Sequence, residues 1–137
     1  MRRLFAALAW SAMVLSAADL SGTWLGSVTT GRRNTIMDFA FRFEQKGAAL
    51  TGKAYLDYGA VPILKGVVDG DKISFEIVAR EQNGNEISES VFKFTGTTKD
   101  GEIELTRDRQ EMRNAVNSSA AFVKQSTPLT FKVKRLP

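Results

Sequence analysis

The chain has 137 residues, 43% of them hydrophobic, and contains neither Cys nor His. Without His the usual general base, the haem ligand and most zinc sites are gone; without Cys there is no thiol catalysis and no disulfide framework. The formal charge of +4 falls to +2 once Arg2 and Arg3 are assigned to a leader, too small an excess to argue for a nucleic-acid partner.

The leader comes first in chain order. Met1-Arg2-Arg3, a nearly unbroken apolar run over 4–15 and the small residues Ser16-Ala17-Ala18 follow the order of a secretory signal peptide, with cleavage before Asp19. The run is shorter than the ~20 apolar residues a spanning helix needs, so no membrane span is expected. This reading makes 1–18 a signal peptide and 19–137 a single domain, exported to the periplasm or the extracellular space.

Beyond the leader the pattern has a period of two. Phe39, Phe41 and Phe43 alternate with Asp38, Ala40 and Arg42, and the beat returns in Ile73-Ser-Phe75-Glu-Ile77, Phe92-Lys-Phe94, Ile103-Glu-Leu105 and Leu129-Thr-Phe131-Lys-Val133. Such alternation marks antiparallel strands with one face on a core and the other in water. The predicted strands are 22–29, 36–45, 49–56, 61–68, 72–81, 86–98, 102–109 and 129–136. About eight strands in a meander with tight turns predict an all-β, up-and-down antiparallel barrel, which leaves no exposed edge.

Turn residues set a register. With two-residue turns centred on Lys46-Gly47, Asn83-Gly84 and Asp100-Gly101, Phe43 meets Leu50, Phe75 meets Phe92, and Phe94 meets Arg107. Short connections then tie one end of the barrel. The irregular stretches 30–35, 57–60 and the insert 110–128 gather at the other, the loose end. For the insert, a short helix around Met112, Ala115 and Val116, a lid and a loop all remain open.

Gly22-Thr23-Trp24 at the start of the first strand, the hairpin meander and Arg135 near the end of the last strand resemble the calycin barrels: lipocalins, fatty-acid-binding proteins and avidin. The resemblance implies that Trp24 plugs the closed end and that Arg135 packs across it as a structural pair. Avidin's biotin-cage tryptophans have no counterpart, since the other Trp is Trp10 in the leader. A closer similarity is to small exported bacterial proteins of unknown function. It rests on Asp19-Leu-Ser-Gly-Thr-Trp24, Phe41-Arg-Phe43, Leu50-Thr-Gly52, Gly70-Asp-Lys-Ile-Ser-Phe75, Phe94-Thr-Gly96 and Glu104-Leu-Thr-Arg107. It implies export and fold, and carries no activity.

For chemistry the residues offer carboxylates, hydroxyls, Lys and Arg. By parity Asp38, Glu44, Glu76, Glu89, Glu102 and Glu104 point outward, so no acid/base pair faces the interior and no catalytic residue is assigned. Asp69-Gly-Asp71 is too short for a calcium loop, and no metal or cofactor is expected. Ile103, Leu105, Arg107 and Arg109 share the inward parity, so the inner face turns from apolar to cationic toward the loose end. Ser88 and Ser90 point inward beside them. Guanidinium forks over Phe faces suit a carboxylate- or sulfate-bearing amphiphile. The alternative is that both arginines snorkel to the rim or pair with Glu111, Asp108 or Glu86. Tyr55 and Tyr58 are ligand-stacking candidates beside the loop after the third strand, with rim packing as the alternative.

Three functions fit. The first is an exported binding barrel for a small anionic or amphiphilic molecule held at the loose end. The second is a filled-core structural or protein-interaction module, and the third a cofactor-free barrel enzyme of the isomerase or cyclase type. Oligomeric state is not readable from the sequence.

Overall fold

The computed structural model describes residues 19–31, 34–57, 59–83, 85–114 and 128–137, with backbone alone for 81–83, 86 and 111–114. The expected leader 1–18, Tyr58 and residues 115–127 of the insert lie outside the described residues.

Alternation of apolar and polar residues builds nine strands: β1 (Gly22–Thr30), β2 (Thr35–Lys46), β3 (Ala49–Leu56), β4 (Gly59–Pro62), β5 (Leu64–Asp69), β6 (Lys72–Asn83), β7 (Glu86–Lys99), β8 (Glu102–Asn114) and β9 (Leu129–Arg135). Every pairing is antiparallel, and the order β2-β1-β9-β8-β7-β6-β5-β3 closes on itself through β2 and β3. The result is a closed eight-strand barrel in meander order, as the periodicity predicts. Strands β4 and β5 share one position, both pairing with β3. Among the described residues no helix is long and apolar enough to cross a membrane.

The structure corrects three details. The single strand expected over 61–68 is split at Ile63, where Lys65 takes φ 51° and the β5–β6 register shifts between Leu64 and Val67. Strand β8 runs on to Asn114, so 110–114, read as the start of the insert, continues the ladder with β7, and Met112 is in a strand. Two hairpins are also centred one residue later than predicted: Phe43 pairs with Gly52, not Leu50, and Phe75 with Phe94, not Phe92. In the first of these, Gly47 has φ 60° and Ala48 does not, which is the pattern of a type II′ turn with Gly at its first central position. Asp100 and Gly101 both take positive φ, at 54° and 77°, so the expected type I′ turn and the Phe94–Arg107 pair stand.

A one-residue move of a turn centre shifts pairing by two and preserves parity, so the same side chains still face inward. Phe41, Phe43, Phe75 and Phe94 fill the middle of the barrel, each 1% exposed. Phe75 stacks on Phe94 at 4.8 Å, and Phe41 meets both edge-on at 5.5 Å. Each such burial contributes roughly 1.5–3 kcal/mol, and the aromatic geometry adds about 0.5–1.5 per pair. The outer ion pairs Lys65–Glu76, Arg80–Glu89 and Lys134–Glu102 involve cations at least 74% exposed, so each adds at most about 1 kcal/mol. Packing decides stability.

The rings need room from their neighbours. Phe43 lies opposite Gly52, whose φ of 134° no L side chain adopts easily and whose added Cβ would sit 1.8 Å from the Arg42 carbonyl oxygen. Gly52→Ala is therefore expected to destabilise the fold by about 2–4 kcal/mol, combining left-handed strain with a backbone clash. Urea unfolding should show a lower midpoint with an unchanged slope.

Candidate functional site

The two ends of the barrel differ in how they are finished. At the tied end the residues before β1 form a plug. Asp19 accepts from the Ser21 amide at 2.9 Å and its hydroxyl at 2.6 Å, and the Gln45 amide donates to Ser21 Oγ at 3.0 Å. Leu20, 3% exposed, donates its N–H to Gln45 Oε1 at 2.9 Å, and its carbonyl accepts from Trp24 Nε1 at 2.8 Å. Arg135 is the register partner of Trp24; its Cζ stands 4.8 Å over the indole and its Nη2 donates to the Asp19 carbonyl. The pair implied by the calycin resemblance is in contact.

At the loose end the inner residues are left half-buried. Val28, Met37, Leu56, Val61 and Leu129 form an apolar rim on β1, β2, β3, β4 and β9. Next to β9, strand β8 presents Arg107, the register partner of Leu129, and Arg109, both half-buried. Arg107 Cζ lies 4.7 Å from the Phe92 ring centroid and 5.7 Å from that of Phe39, with Nη1 3.6 Å from Met37 Sδ. Arg109 Cζ lies 5.2 Å from the same Phe92 ring. Two guanidinium groups thus contact one aromatic ring, a geometry worth about 0.5–2 kcal/mol per contact depending on desolvation. The floor beneath is Phe39 stacked on Phe131 at 3.9 Å.

Ser90 is wholly buried and Ser88 half-buried on β7; Ser90 pairs in register with Ala79 and Met112. The structure thus brings Arg107 and Arg109 together, with both serines next along the same inner face. It does not bring Tyr55 to them: Tyr55 is 45% exposed on the outer face of β3, opposite Ala40 and Ala60. Met37, Phe39 and Leu129 belong to the mouth although sequence reasoning did not assign them there. Parity turns each inward, but nothing local shows which strand lies across the barrel.

Ser90 is the buried polar side chain among the described residues, which also hold no group of three or more carboxylates placed for a metal ion. Chemically, the mouth can grip an oxyanion from one side and cover an apolar body from the others. Fold and mouth together define a closed antiparallel barrel, sealed at one end and rimmed by arginine at the other. No protein-family model, curated protein or solved structure matches the chain.

The plug carries a pH signature. Hydrogen bonds from the Ser21 hydroxyl and then its amide hold the exposed Asp19 carboxyl below its ordinary value of 3.8, with a smaller pull from Arg135. A depressed carboxyl stabilises the fold above the unfolded value, and the effect is lost as pH falls through the folded one. The Ser21 amide resonance should therefore titrate below pH 3.8. The stability difference between wild type and Asp19→Asn should be present at neutral pH and vanish in acid.

Proposed function

We propose that this protein is an exported, calycin-like binding barrel that holds a small anionic or amphiphilic molecule at its loose end. The observation that supports it is the pair Arg107 and Arg109 over Phe92, set against the apolar rim of Val28, Met37, Leu56, Val61 and Leu129. Guanidinium forks bind carboxylate or sulfate bidentately, while the rim and floor take the apolar part of the ligand out of water. On the neighbouring strand half-buried Ser88 adds a hydroxyl, with the buried Ser90 hydroxyl behind it. The signal-peptide pattern of 1–18 supports a periplasmic or extracellular setting.

A second reading, a filled-core interaction module, has its own observation. Leu25 and Tyr55, 43% and 45% exposed, lie in one outer register row with Ala40 and Ala60 between and beside them. An apolar row on the outside suits a protein partner. An enzyme is the weakest reading, since the described carboxylates stand outside the core.

Native mass spectrometry of the mature protein separates these readings. A discrete added mass that disappears on denaturation and is lost in Arg107→Leu is the expected result. Removing one charged hydrogen-bonding group should cost about 1.5–3 kcal/mol, or roughly 10- to 150-fold in Kd. An added mass retained by Arg107→Leu moves the ligand away from the mouth. A protein that stays bare after incubation with carboxylate and sulfate amphiphiles favours the interaction module.

A further inference from the structure

The depth of the mouth limits what it can hold. Below Phe39, Phe92 and Phe131, which are 8%, 4% and 4% exposed, the barrel axis is occupied by Phe41, Phe75 and Phe94 at ring separations of 4.8–5.5 Å. A chain entering along the axis would have to displace these rings. Cores packed at this density resist insertion, because each added methylene forces neighbours off their rotamers. A ligand therefore sits above the floor and across the mouth.

The surface it meets is a pair of half-buried guanidinium groups lying over a nearly closed aromatic floor. Phe39 and Phe131 are stacked with 9° between their planes, and Arg107 bridges the faces of Phe39 and Phe92. Guanidinium planes stack on rings as readily as they grip carboxylates. A rigid ring carrying a carboxylate satisfies both at once and loses little conformational freedom on binding. A long alkyl chain leaves its end in water at the rim.

We propose, building on the ligand reading above, that this mouth selects planar aromatic carboxylates over straight-chain ones. Calorimetry at fixed ionic strength tests it with naphthoate, its neutral amide, and straight-chain carboxylates from butanoate to dodecanoate. Naphthoate should bind at least about tenfold tighter than octanoate and than its own amide, and Arg107→Gln should weaken it by about tenfold. The alkyl series should level off among its shorter members.

Two results overturn the proposal in distinguishable ways. If affinity rises steadily through dodecanoate, by about fourfold per methylene as full burial would give, the aromatic block yields and the selectivity is wrong, while the anionic mouth survives. If no carboxylate binds, or a folded Arg107→Gln binds naphthoate as wild type does, both the selectivity and the anionic mouth fail. The wild-type series alone decides the first case, so the proposal does not depend on a variant folding.

Discussion

One column of rings organises the molecule. Trp24, Phe43, Phe41 and Phe39 follow one another at centroid separations of 6.5, 5.5 and 6.3 Å, from the tied end to the loose end. A guanidinium closes each end, Arg135 on Trp24 and Arg107 on Phe39. Three members come from β2, so a single alternating strand supplies the axis of the barrel. Apart from Trp24, which pairs with Phe41, the neighbouring positions are kept small to admit the rings: Gly52 and Gly22 beside Phe43, Ala54 beside Phe41, Gly26 beside Phe39. At Gly26 an added Cβ would lie 2.2 Å from the Lys132 carbonyl oxygen, so the same small residue that accommodates Phe39 lets β1 approach β9.

This column explains how a chain without Cys can hold together. Aromatic and aliphatic burial provides the stabilisation that a disulfide framework often gives small secreted domains, while the outer ion pairs contribute little. It also joins two chemically different ends. The tied end is sealed by Leu20 and the hydrogen bonds around it, and its arginine is spent on Trp24. The loose end has no such plug among the described residues, and its inner face ends in cations.

What could be read from sequence depended on which physical signal carried it. Inward and outward parity was legible everywhere it was tried, because a period of two survives any even shift in pairing. Turn centres were legible at Asp100-Gly101, where both residues favour positive φ, and were misread at Lys46-Gly47, where only the glycine adopts it. The break at Ile63 left no trace, since Lys65 is not a residue type that announces a positive φ. In the mouth, Arg107 and Arg109 were visible as inward cations on one strand. Their neighbours Met37 and Phe39 were not, because they sit 70 and 68 positions away on β2 and reach Arg107 only when the barrel closes.

The plug also settles the direction in which the polypeptide leaves the barrel. Leu20 lies beneath Trp24, and the Leu136 amide donates to the Thr23 carbonyl at 2.8 Å, so both ends of the described domain emerge at the sealed pole. Anything joined to either terminus, whether a tether, a fusion partner or a solid support, therefore hangs from the face opposite Arg107 and Arg109. A layer of such molecules fixed by either end would point every mouth toward solution.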